Sequence, residues 1–471
     1  MHNIEQIFIN GEFVTPHGTE RFDLYNPATA RVIGQVRLAD EVDGERAIAA
    51  AKAAFPAWSK TSKAERIAAL KRMHAAVVAR HDELLEAVIE EYGAPASRSA
   101  WMASYPAEVI AQAIAALEAF EFTSSAGAAT VQMVPLGVAG LITPWNSDAG
   151  FICGKLAVAL AAGCTAVIKP SEMSALQTRV ITEALADAAL PPGVFNIVTG
   201  RGDRVGETLS RHPDVAKISF TGSTTTGKAI LRNAAESFKR VTLELGGKSP
   251  TILLEDVDLT QAIPLVVQAG FMNSGQACVA GTRILVPQSR KAEIETALAD
   301  AVAAVKSGDP RDNATEIGPM VSEKQWQRVQ SYIRKGIDEG ARLLAGGEGR
   351  PEGTQDGWFV RPTLFADVNN QMAIARDEIF GPVLCVIPYR DEAEAVAIAN
   401  DTDYGLSAMV LGGDVARAHR VAQQIVSGRV LVNTLAHEPK APFGGFKHSG
   451  VGREMGEWGI RAFMEPRSVV G

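Results

Sequence analysis

From Asp43 to Ala119 apolar side chains return at helical spacing, Ile67, Leu70, Met73, Val77 and Leu84 among them, on an alanine-rich background. This stretch predicts packing helices. Ahead of it, Phe8 to Val36 alternates short apolar runs with the turns Asn10-Gly11 and Asn26-Pro27, a hairpin-like lead-in. Glu121 to Val138 carries small, polar and β-branched residues (Ser124, Ser125, Thr130, Val131), the pattern of an extended arm. From Val138 the rhythm changes again. A strand to Thr143, a helix through Leu160, strand Thr165 to Lys169 and a helix from Ala175 are followed by strands at Val194, Val215 and Val241, with helices between. Such alternation predicts a parallel sheet with crossover helices, with ligands at the carboxyl ends of its strands. Beyond Glu244-Leu245-Gly246-Gly247-Lys248-Ser249-Pro250 a second α/β unit runs through Val432, with surface loops at Ser307 to Gly318 and Gly346 to Gly357.

Length and charge narrow the functions open to this chain. Its 471 residues allow two or three domains. Hydrophobic residues make up 46% and charged residues 21%, and apolar runs such as Leu156 to Ala162 are far too short to span a bilayer. The first residues lack a basic region followed by an apolar core, so a cytoplasmic protein is expected. A net charge of -8 with dispersed Lys and Arg argues against a nucleic-acid surface. Four cysteines lie far apart without zinc-site spacing, and no metal is expected.

The candidate chemistry sits in turns. Cys278 follows Gly275-Gln276-Ala277, where small neighbours leave a thiol approachable; it reads as a nucleophile, or alternatively as a buried apolar thiol. Thr199 to Gly206 is a glycine-rich turn with Gly202 and Gly206 at its end, but its G-x-G-x-x-x-G spacing is not the dinucleotide fingerprint. Phe220-Thr221-Gly222-Ser223 puts a glycine and a hydroxyl at a helix start, suited to a phosphate or to an ordinary cap. Lys169-Pro170-Ser171-Glu172 offers an ammonium and a carboxylate at a strand end, or a solvated loop.

Together with Thr143-Pro144-Trp145-Asn146, Glu244 to Lys248, Glu378-Ile379-Phe380-Gly381-Pro382 and Pro442-Phe443-Gly444-Gly445, these motifs stand in one order over nearly the whole chain. In this the sequence closely resembles the NAD(P)-dependent aldehyde dehydrogenase superfamily, in its hydrolytic, acid-forming branch. The resemblance implies an α/β subunit with a variant Rossmann cofactor domain (1–119 and 136–246), an α/β catalytic domain (247–461) and a small β oligomerisation arm (120–135 and 462–471). It implies a homodimer or homotetramer acting on a small-molecule aldehyde. Cys278 becomes the nucleophile, Asn146 the oxyanion donor and Glu244 the base that activates water, with Lys155 in support. NAD, favoured over NADP by the carboxylate of Glu172, would be held by Ile142, Thr143, Pro144, Trp145, Lys169, Glu172, Gly202, Gly206, Phe220, Gly222, Ser223, Leu245, Gly246, Glu378 and Phe380. A substrate tunnel would be lined by Phe151, Ala277, Val279, Leu435 and Phe443, with His437, Glu438 and Lys440 at its mouth.

One departure stands beside Asn146. Ser147-Asp148 replaces the family's aromatic residue and proline, and looks like a polar capping start to the next helix. A narrower semialdehyde dehydrogenase, or an inactive structural member of the fold, are the competing functions.

Overall fold

The computed structural model describes every residue except Gln355. The predicted lead-in hairpin forms from Ile7–Ile9 and Glu12–Val14, turning through Asn10 and Gly11 at positive φ, and docks against Phe195–Ile197. It extends an eight-stranded sheet whose middle is parallel: Arg240–Glu244, Val215–Thr221, Val138–Ile142, Thr165–Lys169 and Phe195–Ile197, in that spatial order. These strands are apolar along most of their length because helices cover the sheet. The helices Lys63–Ala79, Ala96–Ala119 and Asp148–Ala162 pack together, burying Leu70, Met73, Ile110, Ile152 and Leu156 in one core.

Register decides where the motifs go. Ile142 pairs with Lys169 and with Phe220, and Thr221 pairs with Glu244, so four motif-bearing strands end level along one edge. The second sheet has seven strands, parallel except for its edge strand Arg342–Ala345. It meets the site the other way round. Pro250–Leu253, Arg283–Pro287, Ser407–Leu411 and Arg429–Val432 turn their starting ends toward the first sheet, and Cys278 lies in the turn leading into Arg283.

The expected boundary at 247 falls in the linker between the two sheets, but the second unit does not keep all of its sequence to itself. Gly450–Val451 pairs antiparallel with Arg240–Glu244, and the helix Gly456–Arg461 packs on Ala96–Ala119 and Asp148–Ala162. Residues 450–461, grouped with the second unit by sequence, therefore build onto the first. The reason is the open edge of Arg240–Glu244, whose backbone groups need partners. The extended excursion forms strands Thr123–Ala126 and Ala129–Pro135, joined by Met464–Val470 into a separate three-stranded antiparallel sheet. Among the described residues no helix is long and apolar enough to cross a membrane.

Candidate active site

The turn before Cys278 is locked by contacts remote in sequence. After the helix Leu259–Phe271 the chain passes through Asn273 and Ser274 at φ 55° and 58°, left-handed conformations that side chains other than glycine's adopt only when held. The Asn273 side-chain amide donates to the carbonyl oxygens of Asn146 at 3.0 Å and Gln276 at 3.2 Å, and Ser274 Oγ accepts from Gly318 N at 3.0 Å. Gln276 is tied by its side chain to Tyr92, to Pro319 O and to Val321 N. Gly275, at φ 75°, could carry no side chain: a Cβ would fall 2.2 Å from the carbonyl carbon of Gly381. Gly247 is equally constrained, because its Cβ would lie 2.3 Å from the carbonyl oxygen of Cys278.

This brings three distant segments together. Cys278, Asn146 and Glu244 line two cavities in common, one of about 510 Å³ and one of about 350 Å³. Asn146 is buried and its Nδ2 donates to Gln276 O at 3.0 Å, leaving a second N–H. Both carboxylate oxygens of Glu244 are buried without a hydrogen-bond partner. Burial, reinforced by the Glu454 carboxylate, holds Glu244 well above the usual range. Burial also pushes the Cys278 thiol up to about 12, with Glu378 and Glu244 adding to it.

The larger cavity is lined by Phe151, Ala277, Val279, Leu435 and Phe443. His437 joins its wall; Glu438 and Lys440 do not. The smaller cavity is lined by Pro144, Trp145, Gly222, Ser223, Leu245, Gly246, Glu378 and Phe380. Trp145 meets the Phe380 ring edge to face at 5.4 Å. Ser223 caps the helix Thr224–Ala235 by accepting from Thr226 N. Glu378 accepts from Gly247 N at 3.0 Å, and burial raises it to about 7.

The remaining candidates lie outside both cavities. Ile142, Lys169 and Gly206 gather at the neighbouring strand ends, where a Cβ on Gly206 would sit 3.8 Å from Lys169 and 3.9 Å from Ile142. Lys169 and Arg201 each lie 3.4 Å from Glu172. Gly202 opens the turn into this group. Phe220 packs its ring back against Gly222. Thr143 turns its hydroxyl inward, to Asp148.

A full-length family model describes the same chain. The aldehyde dehydrogenase family matches residues 13–469. The chain belongs to the aldehyde dehydrogenase family. The 3-succinoylsemialdehyde-pyridine dehydrogenase of a Pseudomonas species is 44% identical over 473 residues, covering 100% of this chain and 99% of that relative. Among solved structures, a mutant of aldehyde dehydrogenase C from Pseudomonas syringae in complex with NAD+ and octanal matches with TM-score 0.97 and 44% identity, covering 99% of this chain and 96% of that one. Mycobacterium tuberculosis aldehyde dehydrogenase complexed with NAD+ matches with TM-score 0.96 and 42% identity, covering 99% and 98%.

Within this aldehyde dehydrogenase two sequence expectations are corrected or extended. Ser147 and Asp148 do not form a cap. Ser147 makes no side-chain capping bond and lines the larger cavity, while Asp148 is fully buried and accepts from Thr143 Oγ1 at 2.6 Å and Thr178 Oγ1 at 2.8 Å. Two hydroxyls on separate elements outcompete the helix's own N–H groups for this carboxylate. Lys155 Nζ donates to Ser219 Oγ at 2.9 Å and pairs with Glu454 at 2.5 Å. Glu454, which influences Glu244, was missed; its only sequence signal is a carboxylate downstream of the Pro442 to Gly445 segment.

Proposed function

We propose that the chain oxidises an aldehyde to a carboxylic acid through a thioester on Cys278, with NAD as the cofactor. What carries this reading is the meeting of a sulfur, a carboxamide and an unpartnered carboxylate where two cavities join. The Cys278 thiol loses its proton to solvent and attacks the aldehyde carbon as the thiolate, and the oxygen becomes negative. The free N–H of Asn146 and the backbone N–H of Cys278 are the donors available to that oxygen, each worth about 3 to 4 kcal/mol in such a hole. NAD bound in the smaller cavity would supply the acceptor for the hydride of that carbon. Glu244 then accepts a proton from water as the water attacks the thioester, and the acid leaves with the sulfur released as thiolate.

The smaller cavity fits a dinucleotide in its donor set. Glu378 has one oxygen engaged by Gly247 and one available to ribose hydroxyls, Ser223 stands at a twelve-residue helix N-terminus suited to phosphate, and Trp145 and Phe380 offer aromatic faces. Lys169 and Glu172, with Ile142, Gly202 and Gly206, would extend the site toward the adenosine end. Glu172 there opposes a 2′-phosphate and favours NAD over NADP. A division into two units near residue 247, with residues 450–461 returned to the first, and a cytoplasmic homodimer or homotetramer belong to the same reading. Four free cysteines fit a reducing compartment, and the separate three-stranded sheet is a natural arm.

The test is NADH formation over a panel of aldehydes. Cys278→Ala should abolish it, and Glu244→Gln should release about one equivalent per site and then stall. Steady turnover by the Glu244→Gln enzyme would remove the base assignment.

A further inference from the structure

Two guanidinium groups face the larger cavity without a carboxylate between them. Arg98, in the first turn of Ala96–Ala119, lies 3.9 Å over the Trp101 ring, and its buried Nε has no hydrogen-bond partner. Arg429, at the start of Arg429–Val432, donates from Nε to Ser407 Oγ at 3.3 Å and stands 5.8 Å from the centre of the Phe443 ring. The groups whose charge influences Arg98 are Tyr92 and Tyr105; those influencing Arg429 are Cys278 and Tyr105. Tyr105 thus lies within electrostatic reach of both, and Arg429 also of the sulfur. Glu108, the remaining acidic side chain on this wall besides Glu244, is exposed.

Partly desolvated positive charge without a protein counter-charge is costly, and the cost falls when a ligand supplies the anion. A guanidinium matches a carboxylate with two parallel N–H···O bonds. Phe151, Leu431 and Leu435 give the same cavity an apolar stretch of wall, beside polar groups such as Asn146, Ser147 and Ser407. On the reading that Cys278 attacks an aldehyde here, we propose that the preferred substrate is an aldehyde bearing a carboxylate at its far end, joined by an apolar chain, with Arg98 and Arg429 as specificity-determining residues. Lys440, expected from sequence at the tunnel mouth, lies off the cavity wall.

The experiment compares matched aldehydes of equal chain length, one ending in a methyl group and one in a carboxylate, beginning with butanal and 4-oxobutanoate. In the wild type, kcat/KM should favour the carboxylate. Arg98→Met and Arg429→Met should each cut that preference by about 10- to 100-fold, the value of a hydrogen bond to a charged group. Arg429→Lys should restore part of it. Because Arg429 also acts on the sulfur, the ratio between the two substrates is the readout, in which an effect on Cys278 common to both cancels. On the unmodified enzyme, succinate should compete with butanal, and its neutral dimethyl ester should not. A wild-type preference for butanal, or a ratio untouched by either methionine variant, overturns the proposal while leaving aldehyde oxidation standing. Absence of NADH from every aldehyde would instead defeat the catalytic reading on which it rests.

Discussion

Beyond its burial, Glu244 is raised by the carboxylate of Glu454 and lowered by the cations of Lys155 and Arg453. Since Lys155 and Glu454 are paired with each other, the two can be separated by substitution. Removing the negative charge with Glu454→Gln should lower the Glu244 pKa, so that the acid limb of the kcat profile moves to lower pH; Lys155→Met should move it to higher pH. A limb fixed in both variants would show that Glu244 does not set it. At Asn146, replacement by Ala should cost roughly 10²- to 10³-fold in kcat if its N–H serves the oxyanion. Gly275→Ala is a different kind of test. It meets both a positive φ and the Gly381 backbone, and should destabilise by about 3 kcal/mol or more, measured by denaturant unfolding. Cys278, Asn146 and Glu244 were legible because each stands in a compact motif. Glu454, Arg98 and Arg429 were not, because nothing local distinguishes a charge on a solvated face from one that folding turns toward a cavity.

Among the elements, the helix Asp148–Ala162 is held at its first residue by a carboxylate shared with Thr143 and Thr178, which ties the Thr143 to Asn146 segment to the helix Ala175–Asp187. Burial raises Asp148 to about 7, against about 4 for an unfolded aspartate. The folded state therefore binds this proton more tightly. Its contribution to stability is complete below about pH 4 and is lost as pH rises through about 7. Asp148→Asn should gain on the wild type in thermal midpoint between pH 5 and pH 8; parallel curves would refute this. Element order in the first sheet was readable from the alternation of apolar runs, since each parallel strand must be followed by a crossover. The role of Asp148 was hidden because a polar pair at a helix start is ordinarily a cap. Only the folded chain brings Thr178 within reach.

In the molecule as a whole, the small sheet of Thr123–Ala126, Ala129–Pro135 and Met464–Val470 stands apart from both large ones, linked back through the ion pair of Arg240 with Glu465. Deleting residues 464–471 would strip one edge of Ala129–Pro135. If this sheet joins subunits, light scattering should show a smaller species than the full chain gives. An unchanged mass would mean that assembly uses another surface. Two successive α/β units could be read from the alternation of apolar runs, and the extended excursion from its small, polar and β-branched residues, but the return of residues 450–461 to the first unit could not. Glycine-rich segments carry no periodic signal, and strand pairing between distant segments is decided by open edges.

That return has a temporal meaning. Glu244 pairs with Gly450, Leu245 N bonds Ser449 O, and Ser449 Oγ donates to Gly246 O, so the carboxylate's strand acquires its outer neighbour only from a segment far downstream in the chain. A chain leaving the ribosome has long since exposed its sulfur when that neighbour emerges. A chain interrupted between Cys278 and Ser449 would therefore present the sulfur beside a carboxylate whose strand still has an open outer edge.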